Sequence, residues 1–273
     1  MTPYAAPLAD IGFVLRHVAG LDEVAALPGF ADATPDLAEA LLTEAARLAE
    51  RELAPLNQVG DRQPATCENG VVRMPAGFRA AFRAYARGGW SGIAVAPEHG
   101  GQGLPRLLAT AANELWAAAN LGFHNCPLLT QGALEAILTH GTPEQRRIYG
   151  ARLIRGEWTG AMCLTEPQAG SDLGALRTRA VRDRDRYRIT GGKIYITYGD
   201  HDLAENVVHL VLARLEGAPP GSAGISLFLV PKFLPDANGR PGGRNDWRCV
   251  SVEHKLGIHG GPTCVVAYGD GGG

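Results

Sequence analysis

The chain has no uninterrupted apolar run of about 18 residues, so no transmembrane helix is indicated. It does not open with a basic segment followed by an apolar one, so no secretory signal is expected. Cysteine is scarce: five residues, at 67, 126, 163, 249 and 264, with no C-x-x-C pair. An odd, scattered set fits reduced thiols in the cytosol and argues against a disulfide framework or a zinc site. The eight histidines form no H-E-x-x-H or comparable ligand cluster, so no metal is expected. An excess of one charge is also lacking. The formal net charge is −2, which leaves no electrostatic footprint for nucleic acid. The glycine-rich segment Pro97–Pro105 lacks the Lys-Ser/Thr of a P-loop and does not follow a strand–G-x-G-x-x-G–helix plan, which makes a nucleotide phosphate cradle a poor reading.

What is present is enough apolar material, 45% of 273 residues, for one or two domains with a substantial core. Residues 1–33 read as an N-terminal extension. Leu8, Ile11, Leu15 and Val18 fall at helical spacing there, and Gly20 ends the pattern. Thr34 as cap and Pro35 as first residue start a long helix, with Leu37, Leu41, Ala45 and Leu48 on one face and Pro55 as its stop. Residues 57–73 read as loop, and a helix over 75–87 turns Phe78, Phe82 and Tyr85 inward. Further helices are predicted at 105–119, 127–139 and 143–154, the last with a capping box from Thr142 and Gln145.

From Trp158 the texture changes to strands: 175–183, 186–190, 193–198, 206–215, 224–230 and 263–268, with Gly191-Gly192 as a hairpin turn and 231–246 as a long polar loop. The fold class is α+β: an all-α domain over 34–157, then an antiparallel, β-barrel-like domain over 158–273. The join between them is where a ligand cleft is expected.

One stretch at that join concentrates polar chemistry: Met162, Cys163, Leu164, Thr165, Glu166, Pro167, Gln168, Ala169, Gly170, Ser171 and Asp172. Thr165 and Ser171 offer hydroxyls, Gly170 lets a ligand approach the backbone, and free N–H groups in such a turn can form an anion-binding concavity. The plainer alternative is a strand-to-loop corner capped by Ser171 or Asp172. A second stretch, Lys193-Ile194-Tyr195-Ile196-Thr197, reads as a strand with Lys193, Tyr195 and Thr197 on one face. A ring and a hydroxyl two residues apart suit a planar ligand, and an ordinary half-buried strand is the alternative.

Together these stretches resemble the acyl-CoA dehydrogenases, a flavoenzyme family. The resemblance extends to Lys255-Leu256-Gly257-Ile258 with Pro262-Thr263-Cys264, and to Pro97-Glu98-His99-Gly100-Gly101-Gln102-Gly103-Leu104, all in the family's order. The N-terminal pattern Tyr4…Ala6-Pro7-Leu8…Asp10-Ile11…Phe13-Val14-Leu15 is similar to a larger-chain subgroup that includes enzymes acting on 3-methylthiopropionyl-CoA.

The resemblance implies FAD as cofactor and oxidation of an acyl-CoA thioester to its trans-2-enoyl form. A carboxylate removes the α-proton while a hydride passes to flavin N5. It implies that Met162, Cys163, Leu164, Thr165, Gly170, Ser171, Tyr195, Ile196 and Thr197 line the cofactor, and that Ser171, Glu98 and Gly100 lie beside the acyl-CoA. Tyr195 replaces a more usual Trp, and Met162 stands where an aromatic is common. No residue of this chain matches the family's glutamate base. Glu166 and Asp172 read as loop-fixing acceptors rather than bases, and Lys255 as an ion-pair or pyrophosphate neighbour. The sequence stops at Asp270-Gly271-Gly272-Gly273, where the family continues into a C-terminal four-helix bundle. The chain therefore reads either as the N-terminal portion of such an enzyme or as a non-catalytic flavin- or CoA-binding remnant or subunit of a split assembly. A weaker alternative is the flavin-independent or hydroxylating branch. An electron-transfer flavoprotein or similar acceptor, and a homo-oligomer for the full-length protein, are the implied partners. No nucleic acid or membrane partner is implied.

Overall fold

Leucine and alanine spacing organises the helices, and the computed structural model describes them within residues 3–236 and 238–271. Helix α1 (Leu8–His17) buries Ile11 and Leu15. The extension is tied down at Tyr4, whose hydroxyl donates to the Leu115 carbonyl at 3.1 Å. Gly20 does more than end α1: with φ of 68° it caps α2 (Leu21–Ala25). Thr34 Oγ1 accepts from the Leu37 N–H at 3.2 Å and opens α3 (Pro35–Leu48), as the sequence predicts. Its buried stripe is Ala38, Leu41, Leu42, Ala45, Ala46 and Leu48. Leu37, assigned to the inner face by spacing, is 38% exposed.

The predicted stop at Pro55 does not occur. A π-helical turn over Ala49–Leu53 precedes it and α4 (Ala54–Arg62) runs on. A proline ring clashes with the carbonyl four residues back in a regular α-turn, and the wider turn carries the chain past it. Helix thus extends into the segment read as loop. The rest of that segment holds a hairpin, β1 (Thr66–Glu68) and β2 (Val71–Arg73). Its turn is Asn69-Gly70, both at positive φ, the pair a tight hairpin favours. Helix α5 (Phe78–Arg87) turns Phe78, Phe82 and Tyr85 inward, as predicted.

The two helices predicted at 105–119 and 127–139 are one, α6 (Arg106–His140), broken only at Asn120 (φ −160°, ψ 87°). The Asn120 side chain makes the break stable. Its Oδ1 accepts from the Phe123 N–H at 2.9 Å, as a cap does, and its Nδ2 donates to the Leu53 carbonyl at 3.1 Å. Helix α7 (Pro143–Gln145), a π turn over Arg146–Gly150 and α8 (Ala151–Ile154) make up the predicted 143–154 helix, opened by the Thr142–Gln145 capping box.

The strands follow: β3 (Trp158–Cys163), β4 (Arg179–Asp183), β5 (Arg186–Thr197), β6 (Asn206–Leu215), β7 (Ile225–Pro231), β8 (Phe233–Pro235), β9 (Pro241–Arg244), β10 (Trp247–Val252) and β11 (Thr263–Tyr268). The main sheet runs β10-β11-β5-β4-β6-β3, with β7 also on β6. The α+β order holds. Pairing is mostly antiparallel, but β6 pairs in parallel with β3 and β4, so the sheet is mixed. Strands β8 and β9 form a hairpin inside the predicted 231–246 loop.

Gly191-Gly192 is not a turn. Strand β5 passes straight through it, and the hairpin turn from β4 lies at Arg184-Asp185. The glycines mark the point where β5 leaves β4 and takes up β11 as partner. A Cβ on Gly191 would stand 2.6 Å from Thr178 Oγ1 and 2.9 Å from its Cα, so close backbone approach explains the residue.

Three apolar clusters hold the molecule. One is helical and centred on Leu53, Phe78, Tyr85, Trp116 and Phe123. One is inside the sheet, around Ala161, Cys163, Ile196, Val211, Trp247 and Val266. The third joins the halves, packing Ala133, Leu134 and Ile137 of α6 against Trp158, Val208 and Leu210. Gly160 permits this contact, since a Cβ there would lie 2.4 Å from the Ala133 Cβ. At the other end of the interface the Tyr198 hydroxyl donates to the Gly122 carbonyl, 2.6 Å away and just beyond the Asn120 break.

Asn120→Ala removes the cap at the break and the second donor that the Leu53 carbonyl takes from outside its own helix. Urea unfolding should show a loss of about 2 kcal/mol, with Asn120→Asp, which keeps the cap oxygen, losing less.

Candidate functional site

Strand β3 leaves the sheet at Cys163, and the next three residues are caught from the side by β5. The Ile194 N–H donates to the Thr165 carbonyl at 2.9 Å. Lys193 Nζ donates to the Leu164 carbonyl at 2.9 Å and to Glu166 Oε1 at 2.8 Å. Glu166 is 4% exposed and Lys193 is fully buried. The carboxylate takes three further donors: the Thr178 N–H at 3.0 Å, the Arg177 N–H at 2.7 Å and Gln168 Nε2 at 2.6 Å. Beyond it, Glu166 and Ala169 exchange two backbone hydrogen bonds of 3.0 Å, closing the turn around Pro167-Gln168. The two stretches singled out by sequence are thus hydrogen-bonded neighbours.

Burial alone would push the Glu166 carboxyl up. The Lys193 ammonium and the Thr178 and Arg177 donors outweigh it and hold the group at about 2. Burial pulls the Lys193 ammonium down, and Glu166 opposes that. Both groups are therefore charged, each sustained by the other. Glu166 anchors the loop and has no spare lone pair facing outward. Asp172 is likewise a cap, its Oδ1 accepting from the Gly174 N–H at 2.9 Å. Lys255 donates to the Gly261 carbonyl at 2.7 Å and closes its own loop.

The predicted alternation of Lys193, Tyr195 and Thr197 is broken by a β-bulge. Lys193 sits opposite Val266 and Ile196 opposite Cys264, so Ile194 and Tyr195 together face the single residue Val265. The extra residue reverses the parity. Lys193 and Ile196 both point into the protein, while Tyr195, at φ of 59°, is 61% exposed. Thr197 is half-buried. The side chains of Cys163 and Ile196 lie in the sheet's core, where burial pushes the Cys163 thiol up to about 12, so only their main chain is left to meet a ligand. Met162 packs into the cluster between α6 and β3.

Thr165 is half-buried, and neither its N–H nor its hydroxyl meets a partner among the described residues. Gly170 is exposed with an ordinary negative φ, and a Cβ on it would meet only Thr165 Cγ2, at 4.0 Å. No neighbour within the protein requires a glycine there, and the open side is the one that a bound molecule would use. Ser171 is exposed beside it. Glu98 and Gly100 are exposed on a short 3-10 turn (Pro97–His99), whose root, Val95, packs in the same cluster as Met162. Among the described residues no hydrogen bond joins Glu98 or Gly100 to Ser171 or Thr197.

Sequence reading missed Lys193 as the partner of Glu166. A lysine two positions before an aromatic in a regular strand reads as solvent-facing, and only the bulge turns it inward. The resulting surface offers an unpaired N–H, an unpaired hydroxyl, an open glycine and an exposed aromatic ring, around a loop held rigid from behind. That set suits a flat aromatic ligand with an electron-rich edge, and the isoalloxazine of FAD has that character.

Residues 35–157 match the family model of the acyl-CoA dehydrogenase N-terminal domain, and residues 161–270 match that of the middle domain. Over 266 residues the chain is 45% identical to a 3-methylmercaptopropionyl-CoA dehydrogenase of Ruegeria pomeroyi, covering 97% of this chain and 45% of the relative. It is 40% identical over 276 residues to a broad-specificity linear acyl-CoA dehydrogenase of Mycobacterium tuberculosis, covering 98% and 44%. An acyl-CoA dehydrogenase of Bacillus anthracis, solved in complex with FAD, shares the fold at a TM-score of 0.67 and 23% identity, covering 85% of this chain and 35% of that one. The chain spans less than half the length of both curated relatives.

The ion pair has a pH signature. Because the Glu166 carboxyl is held below its ordinary 4.5 at about 2, its stabilisation is complete above about pH 5 and is lost as pH falls through about 2. Its size is about 3 kcal/mol. The stability gap between wild type and Glu166→Gln, measured by urea unfolding, should therefore hold level down to about pH 5 and narrow from there to pH 3. A gap independent of pH would show that the carboxylate is not paired.

Proposed function

The chain belongs to the acyl-CoA dehydrogenase family, and on that premise we propose that it carries the flavin-binding part of an enzyme that dehydrogenates an acyl-CoA thioester at its α,β bond. The observation that carries this reading is the Ile194 N–H to Thr165 carbonyl bond of 2.9 Å. It ties the loop that carries the unpaired Thr165 N–H and hydroxyl to the bulged strand that carries Tyr195. When bound, FAD supplies the hydride acceptor for the β-carbon.

The residues of the chain then have separate tasks. Thr165 donates through its N–H and hydroxyl to the electron-rich edge of the ring system. Tyr195 packs its exposed ring against the flat face, and Thr197 contributes a hydroxyl two residues further along β5. Leu164, Cys163 and Met162 shape the floor, the last two through main chain and packing. Gly170 leaves the backbone open where the thioester arm enters, Ser171 offers it a hydroxyl, and Glu98 and Gly100 border its path. The base that takes the α-proton is assigned to no residue of this chain. Glu166 is consumed by its ion pair and Asp172 by its cap. The same observation favours a second reading for the chain by itself, binding of flavin or CoA without turnover. An electron-transfer flavoprotein or similar acceptor completes the cycle in the first reading.

Titration of the purified chain with FAD should quench flavin fluorescence. Thr165→Val should weaken binding about fivefold, for one hydrogen bond lost, and Tyr195→Ala up to about tenfold. Failure to bind FAD would overturn the proposal. Acyl-CoAs of different length added to the loaded chain should leave the flavin unbleached, because bleaching requires a base; bleaching would show that a base is present in this chain after all.

A further inference from the structure

We infer that Lys193 is a positioning residue that polarises the Leu164–Thr165 peptide, making the Thr165 N–H a stronger donor toward the negative charge a flavin gains on reduction. This rests on the FAD site proposed above and adds to it a tuning element that never touches the cofactor.

The argument begins with an oddity. A fully buried ammonium is costly, and replacing a buried ion pair with apolar side chains of similar volume is often neutral or stabilising. The pair therefore suggests a use beyond stability. Lys193 Nζ lies 2.9 Å from the Leu164 carbonyl oxygen. That carbonyl and the Thr165 N–H belong to one planar, resonance-coupled amide. A cation at the oxygen draws electron density through the amide, leaves the nitrogen more positive and strengthens the N–H as a donor, as bonds in a hydrogen-bonded chain polarise one another. The opposing charge does not cancel this locally. Glu166 shares its carboxylate with the Arg177 and Thr178 N–H groups and Gln168 Nε2, so its negative charge is spread over three donors besides Lys193, whereas the Leu164 carbonyl meets the ammonium directly. The next peptide is held as well, through the Ile194 N–H on the Thr165 carbonyl. The Thr165 N–H is thus both aimed and strengthened, and it meets no acceptor among the described residues. Such a donor favours the reduced flavin over the oxidised one and raises the midpoint potential.

The test compares wild type with Lys193→Arg, which keeps the cation, Lys193→Met, and the paired change Lys193→Met with Glu166→Met, which leaves no orphaned charge. In the FAD-free protein, the amide proton resonance of Thr165 should move upfield in both Met variants and stay near its wild-type position in Lys193→Arg. In the loaded protein, the flavin midpoint potential should be lower in both Met variants and near wild type in Lys193→Arg. An unchanged Thr165 amide in any folded Met variant, or an unchanged potential in one that binds FAD, would overturn the inference and leave the pair as a loop anchor. If wild type takes up no FAD, the functional proposal fails instead, and the amide resonance still decides the polarisation. Should neither Met variant fold, Lys193→Gln provides the same comparison.

Discussion

The arrangement at the site depends on the ion pair between Glu166 and Lys193. Two full charges are withdrawn from water at the point where β3 gives way to the loop, each at a desolvation cost of several kcal/mol. They persist because both are hydrogen-bonded: the ammonium reaches a carboxylate oxygen and a carbonyl, and the carboxylate collects two backbone N–H groups and an amide. One lysine therefore ties the end of β3, the turn after it and strand β5 into a unit. The Ile194 N–H on the Thr165 carbonyl adds a second tie from β5 to the same backbone.

A second constraint sets how the helical half meets the sheet. Asn120 interrupts α6 without ending it, and its side chain serves both the restarted helix and the π-helical turn that lets α4 pass Pro55. The buried Gly122 carbonyl then receives the Tyr198 hydroxyl from the end of β5. Glycine backbones close the remaining gap: the Gly60 and Gly260 main chains approach so nearly that a Cβ on Gly60 would stand 3.1 Å from the Gly260 Cα. The strand that carries Lys193 and Tyr195 is therefore held at its far end by the helical half, which fixes the site relative to both.

Much of this could be read in the chain beforehand. The Thr34 cap, the Thr142–Gln145 box, the inward aromatics of α5 and the bounds of β6 and β11 follow from local chemistry, because caps and short-range periodicity act within one or two turns. The Asn69-Gly70 hairpin could have been read too, since the pair is a turn signal. The misreadings share a different cause. Pro55 and Gly191-Gly192 are breakers by local rules, yet a widened turn absorbs the first and a close approach to Thr178 explains the second. The helix end at 119 was expected, but not the immediate restart, because the bond that holds Asn120 in place reaches Leu53 on a distant helical segment.

The sequence by itself carried the resemblance to the family, the order of helices then strands, and the two segments of the candidate site, because short motifs and element order are local to the chain. Tertiary structure alone decided which side chains of those segments face outward. A single residue of bulge in β5 reverses the parity of the strand, sending Lys193 inward to Glu166 and Tyr195 outward to the surface. Alternation along one strand cannot reveal this, since the bulge is defined only by the register against β11, a strand more than sixty residues away in the chain.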